Sequence, residues 1–188
     1  VADTRPDRIS YATFGARFFE QAVTEERVVG ALGDLAGDRI EFGPKGVGPG
    51  RLARVRAAGE VGSASARRLT ADEVAFRLSI PVELDIDLDL VVDQHKFHAS
   101  VVVGLTLTAR AAEPLRIVID IDPPTDRDVT VTVDAQGVRA TVIQHLAAID
   151  AEIGRFVAKY VARELEKPHI RAARDIDVAA RIDRAWTT

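Results

Sequence analysis

The run EVAFRLSIPVELDIDLDLVVD, residues 73–93, decides how the chain folds. Val74, Phe76, Leu78, Ile80, Val82, Leu84, Ile86, Leu88 and Leu90 hold every even position. Glu73, Ala75, Arg77, Ser79, Pro81, Glu83, Asp85, Asp87 and Asp89 hold the odd ones. Successive side chains of a strand point to opposite faces, so strict period two means one buried face and one wet face. Typical strands have about 5–6 residues. This one predicts roughly 17, or about 55 Å at 3.3 Å per residue. A ribbon of that length coils or bends with its sheet. Pro81 brings no N–H and marks an edge, a bulge or a bend near the middle.

The alternation continues on both sides. Phe97, Ala99, Val101, Val103, Leu105, Leu107 and Ala109 form the apolar face of a second long strand. Glu113-Pro114 breaks the chain, Leu115, Ile117, Ile119 and Ile121 form a third face, Pro123-Pro124 breaks it again, and Val129, Val131 and Val133 form a fourth, ending before Gln136-Gly137. Breaks this short predict antiparallel neighbours in a meander. Upstream, Val55, Ala57, Gly59 and Val61 alternate with Arg54, Arg56 and Glu60 in a further strand. The preceding GPKGVGPG, residues 43–50, has no Lys-Ser/Thr pair opening a helix and reads as a Gly/Pro turn, not a phosphate-cradling loop.

Elsewhere the period is helical. From Thr141 to Glu166, Val142, Leu146, Ile149, Ile153, Phe156, Tyr160 and Leu165 recur mostly at steps of three and four. They make one side of a helix about 38 Å long, which Pro168 terminates. Phe14, Phe18, Val29 and Leu32 suggest helix over residues 10–36. Ser10 serves as a first N-cap, and Thr24 before Glu25 and Glu26 as a second, so the segment is one kinked helix or two short ones, stopped at Gly37. A last alternating segment, Ile176, Val178, Ala180 and Ile182 against Asp175, Asp177 and Arg181, predicts a strand rejoining the sheet. The sheet and the long helix each carry an apolar surface that must be buried. The expected fold is therefore a single α+β domain over residues 1–188. In it a long, strongly coiled antiparallel sheet wraps around a long C-terminal helix, with an N-terminal helical segment covering the rest.

Composition narrows the function. The chain has 188 residues, no Cys, a net charge of −4, 47% hydrophobic and 29% charged residues. Absence of Cys removes disulfides, thiolate metal sites and Cys nucleophiles. The net negative charge supplies no global field for nucleic acid. No apolar run approaches the roughly 20 residues that a membrane-crossing helix needs. The N-terminal VADTRPDRIS has no apolar core of a secretory signal, and the expected location is the cytoplasm. The excess of Arg over Lys reads as GC-rich coding.

Polar clusters give little chemistry. Asp85, Asp87 and Asp89 project from one strand face at about 6.6–7 Å spacing. Calcium sites converge ligands from a tight loop, so this ladder reads as a solvated face that discourages edge pairing. Arg51, Arg54, Arg56, Arg67 and Arg68 stand against Glu60 alone in residues 51–68. If that strand neighbours the acidic one, cross-strand pairs set the register. His95 and His98 fall on opposite strand faces and share no metal. His145 lies near Asp150 but off a matching helix face, and no Gly-x-Ser-x-Gly elbow is present. Lys167, His169, Arg171 and Arg174 form a local basic cluster suited to peripheral contact with anionic lipid head groups, although Asp175, Asp177 and Asp183 follow it and favour solvated surface. No catalytic residue, metal ligand or cofactor is read from the chain, and an enzyme is not expected.

In element order and length, the alternating run from Val74 to Leu90 and the helix from Thr141 to Glu166 resemble the tubular lipid-binding (TULIP) superfamily. The resemblance extends from the helix near Phe14 to the strand near Ile182. It implies a coiled sheet around a long helix and an elongated apolar tube. A helix-grip, START-like fold is the competing similarity, from which this chain departs by lacking a clear strand before its first helix and by adding one after its last. Either implies a cradle for a hydrophobic molecule. The expectation is non-enzymatic binding or carriage of an elongated, lipid-like ligand lined by Phe14, Phe18, Leu84, Leu88, Val103, Leu107, Phe156 and Tyr160. The alternative is a filled-core protein-interaction or assembly module without a ligand. The oligomeric state is left open.

Overall fold

The computed structural model describes residues 7–47, 49–69, 73–90, 93–134 and 140–186, with the side chains of Asp34, Pro49 and residues 140–148 left aside. The expected turn at Gln136-Gly137 and the side chains of Val142, His145 and Leu146 therefore lie outside the described residues. The chain is α+β; its described residues form eight strands in one strongly curled antiparallel sheet, a half-barrel, and five α-helices.

Two strands form its spine, β4 (Ala75–Asp89) and β5 (Gln94–Ala112). Their antiparallel register runs unbroken from Ala75 opposite Thr108 to Asp89 opposite Gln94. Every even position of β4 from Phe76 to Leu88 is buried, whereas Arg77, Glu83, Asp85 and Asp87 are exposed. Each spine strand is long enough to take two successive partners on its outer edge. β2 (Ala53–Val61) pairs with residues 82–89 of β4, and β3 (Ser65–Arg68) pairs with residues 76–79. β6 (Arg116–Ile121) pairs with residues 107–112 of β5, and β7 (Val129–Asp134) pairs with residues 98–103.

The sheet thus divides into two halves that share the spine. In the first, β1 (Arg39–Val47) extends the order to β1-β2-β4-β5-β7. In the second, β8 (Asp175–Asp177) extends it to β3-β4-β5-β6-β8. The two changes of partner occur at adjacent levels: β4 changes at residues 80–81, where Pro81 lies opposite Val102, and β5 at residues 104–106, where Gly104 lies opposite Ser79. Gly62, in the link between β2 and β3, donates its N–H to the Pro81 carbonyl at 2.8 Å. The N–H that Pro81 lacks therefore falls where one neighbour leaves and the next arrives. The expected meander holds for β4-β5-β6 only. β7 returns to the other half of β5 because a 19-residue strand has edge to spare beyond the six residues of β6.

The N-terminal segment is two helices, α1 (Tyr11–Ala22) and α2 (Glu25–Gly30). Ser10 Oγ accepts from the Thr13 N–H at 3.1 Å and Thr24 Oγ1 from the Arg27 N–H at 3.4 Å, so both expected caps are in place. Gly37 has φ +88° and closes the segment by donating to the Val61 carbonyl.

Three expectations are corrected. GPKGVGPG is not simply a turn, because β1 continues to Val47 with a register shift between Phe42 and Lys45. β1 is an edge strand, where Pro44 breaks no ladder that matters, and Gly43, at φ +91°, passes so close to β2 that a Cβ would lie 2.4 Å from the Val55 carbonyl oxygen. The long helix, α3 (Ala140–Leu165), is not the C-terminal helix. The chain runs on into α4 (Pro168–Ala173), β8 and α5 (Val178–Trp186), so the C-terminal helices are short. Pro168 both follows the end of α3 and opens α4 at its first turn, where no N–H is needed. The strand expected through Ile182 lasts only to Asp177. The Asp177 carboxylate then accepts from the Ala180 N–H at 2.8 Å and starts a helix.

The core follows these halves. α3 contributes Ile149, Ile153, Val157, Val161 and Leu165 to it, and touches both β1 and β7, the outer strands of the first half. Phe156 meets Phe42 with ring centroids 4.8 Å apart, and Lys45 pairs with Glu152 above them. The helices α1, α2, α4 and α5 are left to cover the second half.

Candidate functional site

The second half contains a groove of about 860 Å³. Its floor is sheet: Leu107 of β5, Ile117, Ile119 and Ile121 of β6, and Ile176 of β8. One wall is Phe18 and Ala22 of α1 with Val28 of α2 and Leu32 after it. The other is Ile170 and Ala173 of α4 with Val178, Ile182 and Ala185 of α5. That volume lies within the range of roughly 300–1,000 Å³ usual for small-molecule sites.

The local sequence explains why the space stays open. On α5, Val178, Ile182 and Ala185 follow one another at four and three residues, which makes a single apolar stripe facing the groove. Only Val178 is buried; Ile182 remains 44% exposed. α1 carries three phenylalanines and yet has no buried residue. Phe14, 59% exposed, stacks on Phe18 at 6.3 Å along its outer side. Fully burying an aliphatic or aromatic side chain gains roughly 1.5–3 kcal/mol. Val28, Leu32, Ile170 and Val178 of the walls already realise it, but at Phe18 and Ile182 part of that gain is unrealised and is open to an apolar molecule lying between them.

Polar groups on the lining are few: Gln21, Arg27, Arg174 and Arg181. Arg27 Nη1 donates to the Gln21 and Ala22 carbonyls, each at 2.9 Å, and closes the end of α1. Arg174 Nε donates to the Ile119 carbonyl at 3.0 Å, while the Ile119 N–H donates back to the Arg174 carbonyl at 2.8 Å. No Ser, Thr, His, Asp, Glu or Lys is among the described residues that line the groove. A shallower hollow of about 500 Å³ flanks the opposite side of α1, between Gly15, Ala16 and Phe19 and the ends of β4 and β5.

The residues expected to line a cradle separate. Phe18 and Leu107 meet at the groove. Leu84, Leu88 and Val103 lie in the packed interior. Phe156 packs on Phe42, and Tyr160 is half-buried on α3, where loss of water around the phenol raises its pKa. Most of the lining was not anticipated, because Ile117, Ile119 and Ile121 read as one strand face among several and Val178 and Ile182 fit period two as well as period four. The available signal was Asp177 as an N-cap.

The charged face of the spine is a separate surface. Asp89 lies opposite Arg54 and Asp87 opposite Arg56 in the register, as the charge pattern suggested. His98 bridges two acids of β4, with Nε2 2.9 Å from Glu83 and Nδ1 3.2 Å from Asp85. These bonds, Asp85 foremost, raise its pKa. Lys96 stands 3.6 Å from Asp87. No group of three or more His, Asp or Glu residues among the described ones is placed to hold a metal ion, and no described helix is long and apolar enough to cross a membrane. No known family model matches the chain, and no curated protein matches its sequence.

Proposed function

We propose that this protein binds an elongated apolar, lipid-like molecule in the groove of the second half and does no chemistry on it. The observation that carries this reading is the pair of apolar walls, α1 and α5, which face each other across an isoleucine floor without filling the space. The lack of a nucleophile, base or acid on the described lining favours binding over catalysis. The tubular lipid-binding resemblance remains a likeness of element order, and on this reading the ligand would lie at one end of the spine, not along it.

Native mass spectrometry and solvent extraction of the purified protein test the reading, together with uptake of a fluorescent fatty acid and a fluorescent phospholipid. The expected result is a bound mass of lipid size, or uptake that Ala22→Trp abolishes by filling the groove with little change in melting temperature. No bound lipid and no uptake of either probe overturns it.

A second reading, a protein-interaction module, is favoured by Tyr11 and Trp186, which are 97% and 85% exposed on α1 and α5. It expects a concentration-dependent dimer, or a partner complex, that Trp186→Ser dissolves, with no probe uptake.

A further inference from the structure

We infer that the groove selects an anionic amphiphile, one alkyl or acyl chain ending in a carboxylate or a phosphate. This rests on the apolar reading above and adds a head group to it. Among the described residues that line the groove, all the charged side chains are arginines, in a chain with 29 acidic and 25 basic residues. Arg27, Arg174 and Arg181 form no ion pair with any described residue. By contrast Arg110, Arg116 and Arg171, which do not line the groove, pair with Asp120, Asp175 and Glu166.

Two of the three are held in place by the backbone. Arg27 spends Nη1 on the carbonyls that end α1, and Arg174 spends Nε on the Ile119 carbonyl beside the floor. A guanidinium has five N–H donors, so both keep donors for an oxygen anion, and carbonyl acceptors leave their net charge unneutralised. Arg181 stands on α5 within the same stripe as Ile182. A ligand chain on Ile117, Ile119 and Ile121 then has cationic donors on two sides of its site and no carboxylate among the described lining residues to repel its head. Guanidinium suits carboxylate and phosphate alike, because both present paired oxygens to its planar fork.

The test compares laurate, dodecyl phosphate and dodecanol, three ligands of equal chain length, on delipidated full-length protein by displacement of a bound fluorescent fatty acid. Laurate or dodecyl phosphate, or both, are expected to bind about tenfold more tightly than dodecanol at low salt, with the gap narrowing as ionic strength rises. Whichever anion leads identifies the head group. Arg181→Glu, at an exposed position without a described partner, is expected to weaken the anions at least threefold, leaving dodecanol and the melting temperature unchanged; Arg181→Lys restores part of the loss. Ala22→Trp blocks all three ligands. Equal affinity for all three, or an Arg181→Glu effect shared by dodecanol, overturns the anionic selectivity while the apolar groove stands. Failure of all three to bind overturns the groove itself.

Discussion

The two halves of the sheet use the same spine and the same alternating faces, yet they finish differently. In the first, a single helix of 26 residues spans from β1 to β7, and Leu84, Ile86, Leu88, Ile149 and Ile153 are almost wholly removed from water. In the second, four shorter helices share the cover, and their stripes stop short of closing. One long helix can place successive turns along a curled sheet, each contributing a side chain to the same interior. Short helices of 6, 12, 6 and 9 residues meet the sheet at separate points and leave the space between them unfilled. The contrast teaches that apolar alternation specifies which face is buried and leaves open what covers it.

The comparison can be broken by mutation, starting with the largest effect. Gly59→Ala, in β2 of the packed half, places a Cβ 1.8 Å from the Glu83 carbonyl oxygen and forces the β2–β4 pair apart. It is expected to cost more than about 4 kcal/mol, at the upper end for single substitutions, or to prevent folding, as read by circular dichroism and urea titration. Next, Leu88→Ala at a site with 0% exposure is expected to cost about 2–5 kcal/mol, the range for a cavity in a filled core. Ile182→Ala on the groove wall is expected to cost about 1 kcal/mol or less. Similar losses at the two positions would erase the distinction between the halves.

Smaller effects sharpen it. Arg54→Glu with Arg56→Glu sets like charges opposite Asp89 and Asp87 and is expected to lower stability by roughly 0.5–1 kcal/mol per site; an unchanged melting temperature would mean that packing alone sets the register. The smallest concerns His98. Its pKa is raised in the fold, so its bonds to Asp85 and Glu83 contribute fully below about pH 6.5, the unfolded value, and fade as pH climbs through the folded value. A nuclear magnetic resonance titration is expected to place the His98 midpoint above that of an ordinary histidine, with Glu83→Gln moving it back. An ordinary midpoint in the parent protein would show that the bridge is not held in solution.

Much of the sheet was legible because its signal is local. Strict alternation from Val74 to Leu90 names a strand and its buried side without knowledge of any neighbour. The caps at Ser10 and Thr24 are local too. The division into halves was not legible, since nothing in the spacing of β6 and β7 states that both lie on one edge of β5. β3, with Ser65, Ala66, Arg67 and Arg68, is short and lacks an apolar period, and only its place beside β4 makes it a strand. The C-terminal segment failed for another reason. Ile176, Val178, Ala180 and Ile182 satisfy two periods at once, and Asp177 decides between them through one hydrogen bond. The groove inherits these gaps, because its floor and one wall come from the segments whose partners were hidden.

The slight anchorage of α1 has a consequence for traffic. Its 12 residues include none that is buried: Phe18, Phe19 and Ala22 only lean on the core, Glu20 pairs with Arg68 of β3 at 3.6 Å, and Arg27 closes its far end. Backbone amides there should trade hydrogen for deuterium long before those of the spine. Lifting this one element would unroof the space beneath it without disturbing a single rung of the β ladder, so on the proposed reading admission and release of a ligand would be uncoupled from the integrity of the scaffold.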